Sequence, residues 1–130
     1  MKHPFIVFIF LVLLQIYLDN FKCDNLQGRL LLWAHHIFSV YLIFGAFIFT
    51  NYKLHLTVLI ASLLVHIVYV QCPITTINNK LCKQPTKKPM VTFLNHVLKP
   101  FSPSKGTMNT VYHSLLGFII LYDIYNGFIR

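Results

Sequence analysis

Four long apolar runs, with short polar breaks and one long polar segment between them, frame this chain. They are Pro4–Leu18, broken only by Gln15, then Leu30–Phe49, Leu54–Val70 and Met108–Phe128. The runs are continuous rather than alternating, so they read as helices and not as strands of a barrel. In lipid, each helical segment satisfies its own backbone polar groups. A bilayer core takes about 20 apolar residues as a helix, with a range of about 17–25. The second and fourth runs meet this length, the third meets it when extended to Cys72, and the first is short. The expected fold is all-α, a four-helix transmembrane bundle in a single domain over 1–130, with spans near 4–20, 30–49, 54–71 and 108–128.

The basic start Met1-Lys2-His3 before an apolar run is also the pattern of a signal peptide. No small-residue cleavage site follows, because the chain continues Asp19-Asn20-Phe21-Lys22. The first run is therefore read as a retained span. Asn51-Tyr52-Lys53 leaves only a tight hairpin, which makes spans two and three antiparallel neighbours. A long polar loop, 72–107, separates spans three and four. Pro73 should end or kink the third helix, since proline donates no backbone hydrogen bond. Within the loop, Met90, Leu94, Val97, Leu98 and Phe101 recur at helical spacing. They predict a short amphipathic interfacial helix over Met90–Leu98, stopped by Pro100 and Pro103.

Composition agrees with a membrane chain. Apolar residues make up 56% and charged residues 11%, against about 25% charged in soluble domains. That excludes a soluble globular domain, a disordered tail and a coiled coil. Eleven Lys and Arg face three acids, and all three are Asp. Nine of the eleven basic residues are Lys. Phe, Tyr, Ile, Asn and Lys, all with AT-rich codons, dominate over Gly, Ala, Arg and Pro. The bias points to an AT-rich genome, whether organelle, giant virus or protist, and it weakens any inference from Lys frequency alone.

The net charge of +8 does not imply nucleic acid, because the charges sit where topology predicts. Lys22 and Arg29 lie between spans one and two, and Lys80, Lys83, Lys87, Lys88, Lys99 and Lys105 between spans three and four. Only Lys2, Lys53 and Arg130 lie on the other side. The positive-inside rule then puts loop 72–107 on the cytoplasmic or matrix side and both termini opposite. Cys23, Cys72 and Cys82 would face a reducing compartment, and free thiols are expected. The cluster Lys80, Lys83, Lys87 and Lys88 either enforces this topology or meets anionic headgroups, at about 1 kcal/mol per lysine.

Seven histidines are many for this length, and ionisable groups inside spans are functional candidates. His35 and His36 in span two, His66 in span three and His113 in span four fall roughly 8–10 Å below the same interface, at 1.5 Å rise per residue. His55 is expected at the outer end of span three, close to solvent. Three uses compete for the layer. One is interhelical hydrogen bonding, at about 0.6 kcal/mol per bond. Another is ligation of haem b or a metal by His35, His36, His66 and His113. The third is proton relay with Asp123. Gly45 and Gly117 permit close helix approach. No catalytic motif, phosphate-binding loop or paired CxxC is present.

Several spaced motifs carry a family likeness. They are His35-x-x-Phe38 with Gly45, Leu54-His55-Leu56, Cys72-Pro73-Ile74-Thr75, and Phe93-Leu94-Asn95-His96-Val97-Leu98-Lys99-Pro100. Together they resemble a widespread bacterial family of small four-span membrane proteins of unassigned function with a Cys-Pro-Leu-Thr signature. The resemblance marks His55, Cys72, Pro73, Thr75, His96 and Pro100 as motif positions and carries no reaction. Where that family shows Glu, this chain has His66, Asn78 and Asn95. The departure removes acid chemistry and leans toward a structural role. His113-x-x-x-Gly117 with Asp123 is also similar to the haem-side helix of succinate dehydrogenase membrane anchors, although Ile124 stands where their tyrosine would be.

The leading expectation is a non-catalytic accessory or structural component of a larger membrane assembly, with lipid and other membrane subunits as partners. A haem or metal-binding electron-transfer subunit is the alternative, and a small channel or proton conductor a further one.

Overall fold

The computed structural model describes residues 3–19, 23–69, 72–84, 100 and 105–130. Among these every regular element is helical: α1 (Pro4–Leu18), α2 (Leu26–Ile48), α3 (Tyr52–Tyr69), α4 (Pro73–Leu81) and α5 (Lys105–Ile124), the last running into a π-helical turn, Tyr125–Ile129. The amphipathic helix expected over 90–98 lies outside the described residues.

Local chemistry sets most boundaries. Pro4 opens α1 at a position where a missing N–H costs nothing. Asn25 caps α2, its side-chain oxygen accepting from the N–H of Gln27 at 2.8 Å and of Gly28 at 3.3 Å. That cap starts α2 four residues before its apolar run, at Leu26 rather than Leu30. Asn51 Oδ1 accepts from the Leu54 N–H at 3.2 Å and turns the hairpin into α3.

Pro73, expected only as a stop, is also the first residue of a new helix, α4. Helix α4 occupies part of the segment read as loop 72–107. It ends in a Schellman turn: the N–H of Gln84 reaches the Asn79 carbonyl at 2.9 Å, and Lys83 takes the left-handed conformation at φ 53°.

Helix α2 is the hub, packing against α1, α3, α4 and α5, while α3 also packs against α5. On one side of it, Leu42, Ala46, Leu59, Leu116 and Ile119 form an apolar core, ringed by Val58, Leu63, Tyr112, Leu115, Ile120 and Tyr122. On the other side, α1 and α4 bring polar residues inward: Gln15, Asp19, Thr75, Asn78 and Asn79 are buried. The exterior is the reverse of a soluble surface. Phe5, Tyr17, Leu121 and Ile129 are all more than two-thirds exposed, and so are Ile67 and Val68. Helices α2 and α3 are long and apolar enough to cross a membrane, and α1 is apolar but 15 residues long.

One chemical expectation is overturned. Cys23 and Cys82 are joined as a disulfide, not kept as free thiols. Only Cys72 remains unbonded among the described cysteines. The free-thiol expectation followed from the lysine count, which does not report how close two cysteines lie. Gly28 makes the bridge possible, because a Cβ there would collide with both sulfurs. The disulfide ties the start of α2 to the end of α4.

Candidate functional site

Two buried histidine–aspartate pairs sit at different levels of α2. In the first, His36 of α2 lies between Asp19 and Gln15, which close α1. His36 Nε2 is 2.9 Å from Asp19 Oδ2, a charge contact that misses hydrogen-bond alignment. The other ring nitrogen, Nδ1, is 2.9 Å from Gln15 Nε2. A neutral His36 accepts there from the Gln15 amide. A protonated His36 needs that amide turned over, so that Nδ1–H donates to Oε1, which has no hydrogen-bond partner as it stands. The Nδ1 contact with Gln15 can therefore be kept in either protonation state, while Nε2 has no aligned hydrogen bond.

The second pair is sealed. His55 Nδ1 lies 2.6 Å from Asp123 Oδ2, and Nε2 lies 2.9 Å from the Tyr41 carbonyl. A carbonyl only accepts, so Nε2 must carry a proton. One further proton is then shared between Nδ1 and Oδ2, giving either an imidazolium–carboxylate pair or two neutral groups. The net charge is zero in both cases.

His55 is 1% exposed and Asp123 0%. The expectation of a solvent-exposed His55 is thus corrected. The residue stands one turn into α3, but its side chain turns inward over α2. Gly45 permits this, since a Cβ there would lie 2.6 Å from His55 Cδ2 and 2.9 Å from Nε2. The Tyr41 ring closes one side at 5.1 Å between centroids.

The remaining histidines of the predicted layer are not drawn into one cluster. His35 is half-buried beside His36, with ring centroids 5.8 Å apart. His113 is exposed on α5, 6.0 Å from the Tyr112 ring. The His66 side chain lies outside the described residues. Among the described residues no three His, Cys, Asp or Glu side chains gather as a metal site.

Among the motif positions, Cys72 precedes α4, Pro73 begins it and Thr75 is buried in it, while Pro100 is exposed. His96 falls outside the described residues. Lys80 and Lys83 are exposed, and Lys87 and Lys88 are not described.

Gln15 and Asp19 are the site-lining residues that sequence reasoning missed. The signal was present: Gln15 is the lone polar interruption of the first run, and Asp19 follows one turn later on the same face. Asn78 also stands out. It is fully buried on α4, and neither polar atom of its side chain has a hydrogen-bond partner.

A family model described as "Protein of Unknown function (DUF2784)" matches residues 25–126. The chain belongs to the DUF2784 family. No curated protein and no solved structure matches it. The DUF2784 match spans α2 to α5 and includes Gly45, His55 and Asp123 together. Gln15, Asp19 and Cys23 precede the matched residues. The sealed pair is thus wholly inside the DUF2784 region, whereas the His36 pair and the disulfide each have one partner inside and one before it.

Proposed function

We propose that this DUF2784 member is an integral membrane protein, a non-catalytic four-helix bundle acting as an accessory or structural component of a larger membrane assembly. The observation that carries this reading is the inverted distribution of side chains. Gln15, Asp19, His36, His55, Asn78 and Asp123 are buried, while large apolar side chains face outward. Water would penalise such a surface, whereas lipid or partner helices match it. The two His–Asp pairs then serve as interhelical latches: Asp19 holds α1 to α2, and Asp123 holds α5 to α3. Both His55 nitrogens are engaged within the protein, which leaves none for substrate.

Two other uses of the histidines fit less well. A haem on His36 would have to displace Gln15 and Asp19, and an absorption spectrum without a Soret band is expected. A proton wire would have to cross from His36 to the Tyr41 carbonyl, roughly 7.5 Å of helix rise, past the buried Val40.

Purification in mild detergent tests the main reading. Co-purifying membrane subunits are expected, and a lone monomer that washes from membranes in alkaline carbonate would contradict it. The Cys23–Cys82 disulfide supports an oxidising compartment on its side. That outweighs a lysine count inflated by AT-rich codons, and it leaves the Asn51 hairpin and both chain ends on the reducing side. An impermeant maleimide added from the oxidising side should label Cys23 and Cys82 only after reduction. No labelling of Cys23 and Cys82 after reduction with an impermeant reductant would reverse the orientation, and their labelling without reductant would contradict the disulfide.

A further inference from the structure

An apolar groove runs beside the Asn51 hairpin, sharing Tyr41 with the His55 pocket. Its volume is about 650 Å³, within the size range of small-ligand sites. Phe5 and Phe8 of α1 form one wall, Ala34, Ile37 and Tyr41 of α2 another, and Phe49 with Leu54 the end near the hairpin. Phe5 and Phe8 each meet Phe49 edge-on at 5.5 Å, so the aromatic end is held in place. Asn51 supplies the polar rim.

The exposed charged side chains described at this end are basic. The chain has three acids. Asp19 and Asp24 flank the opposite end of α2, and Asp123 is sealed against His55. Exposed Lys53 stands beside the groove-lining Leu54 in sequence, its ammonium 5.0 Å over the Phe128 ring. Exposed Arg130 closes the π-helical turn, whose Gly127 packs against Tyr52 and Lys53. The amino end of α1, which has no side-chain cap, is at the same end through Phe5 and adds a partial positive charge.

We propose that this groove is a binding site for one anionic phospholipid, with an acyl chain along the Phe5–Phe49 wall and the phosphate at the Asn51 rim, where Lys53 swings from the Phe128 ring to meet it. The inference rests on the membrane reading above, which the carbonate wash tests separately. A zwitterionic lipid would fill the same groove without gaining from the lysine.

The test is lipid retention by the intact protein in mild detergent, after incubation with phosphatidylglycerol or phosphatidylcholine of the same chain composition. Wild type should retain phosphatidylglycerol in preference, by about fivefold if one lysine contributes about 1 kcal/mol. Ala34→Trp fills the groove from an exposed helix position and should remove retention of both lipids. Lys53→Gln should keep phosphatidylcholine retention and lose the preference. Equal retention by wild type and Ala34→Trp would overturn the site. Equal binding of the two lipids by wild type would overturn the headgroup assignment. A dimer that Ala34→Trp dissociates would show a second copy in the groove and overturn the proposal as well.

Discussion

The two sides of α2 solve the same problem differently. Toward α3 and α5 the interior is aliphatic, built on Leu42, Ala46, Leu59, Leu116 and Ile119, with a single polar pair, His55–Asp123, sealed inside it. Toward α1 and α4 the interior is polar, with Gln15, Asp19, His36, Thr75, Asn78 and Asn79, and a disulfide closes its end. On the apolar side the Tyr41 carbonyl fixes His55 and Gly45 makes room for it, and of the pair's four polar side-chain atoms one, Asp123 Oδ1, has no hydrogen-bond partner. On the polar side more unsatisfied atoms remain, at Gln15, Asp19, His36 and Asn78, and a covalent bond helps hold the elements together. Packing can specify a helix contact by shape alone, whereas a loosely satisfied polar interface gains from a cross-link.

Substitutions can break that contrast, and the sealed side should suffer most. Asp123→Ala leaves His55 buried without its partner and should cost about 3–5 kcal/mol. Asp123→Asn should cost far less, because its amide can donate to Nδ1 as a protonated Asp123 would. Denaturant titration in detergent reads both, and equal losses would argue against the shared proton.

Cys82→Ser opens the bridge on the polar side and should cost about 2–4 kcal/mol. Its melting temperature should match that of reduced wild type. Gly45→Ala pushes a methyl into the His55 ring and should cost about 1–3 kcal/mol by overpacking. Gly117→Ala, where a new Cβ meets nothing within 4 Å, is the paired control and should leave thermal stability unchanged. Asp19→Ala should have the smallest effect, about 1 kcal/mol, since Asp19 is the more exposed of the two acids and Gln15 still contacts His36.

The apolar side was the more legible in the sequence. Continuous apolar runs marked every long helix, the Asn51 hairpin set α2 against α3, and Gly45 announced a close approach. What the runs could not give was rotation about each helix axis. Position along α3 alone puts His55 near solvent, whereas the direction of its side chain decides its burial. The polar side was less legible. Its α4 begins at a proline read chiefly as a breaker, and its Asp19 looked like a loop residue at the end of a short run. The disulfide was hidden for a different reason. Lysine counts report membrane topology, but mutation pressure toward AT-rich codons also supplies lysine, and neither signals that two cysteines meet over Gly28.

A double-mutant cycle at each His–Asp pair tests the contrast most directly. Single and double alanine variants of His55 and Asp123, and of His36 and Asp19, would be unfolded in the same detergent. The sealed pair should show a coupling energy at least about twofold larger than the pair beside Gln15, because its hydrogen bond is aligned at 2.6 Å and excluded from water. Equal couplings, or a larger one at His36–Asp19, would contradict the account.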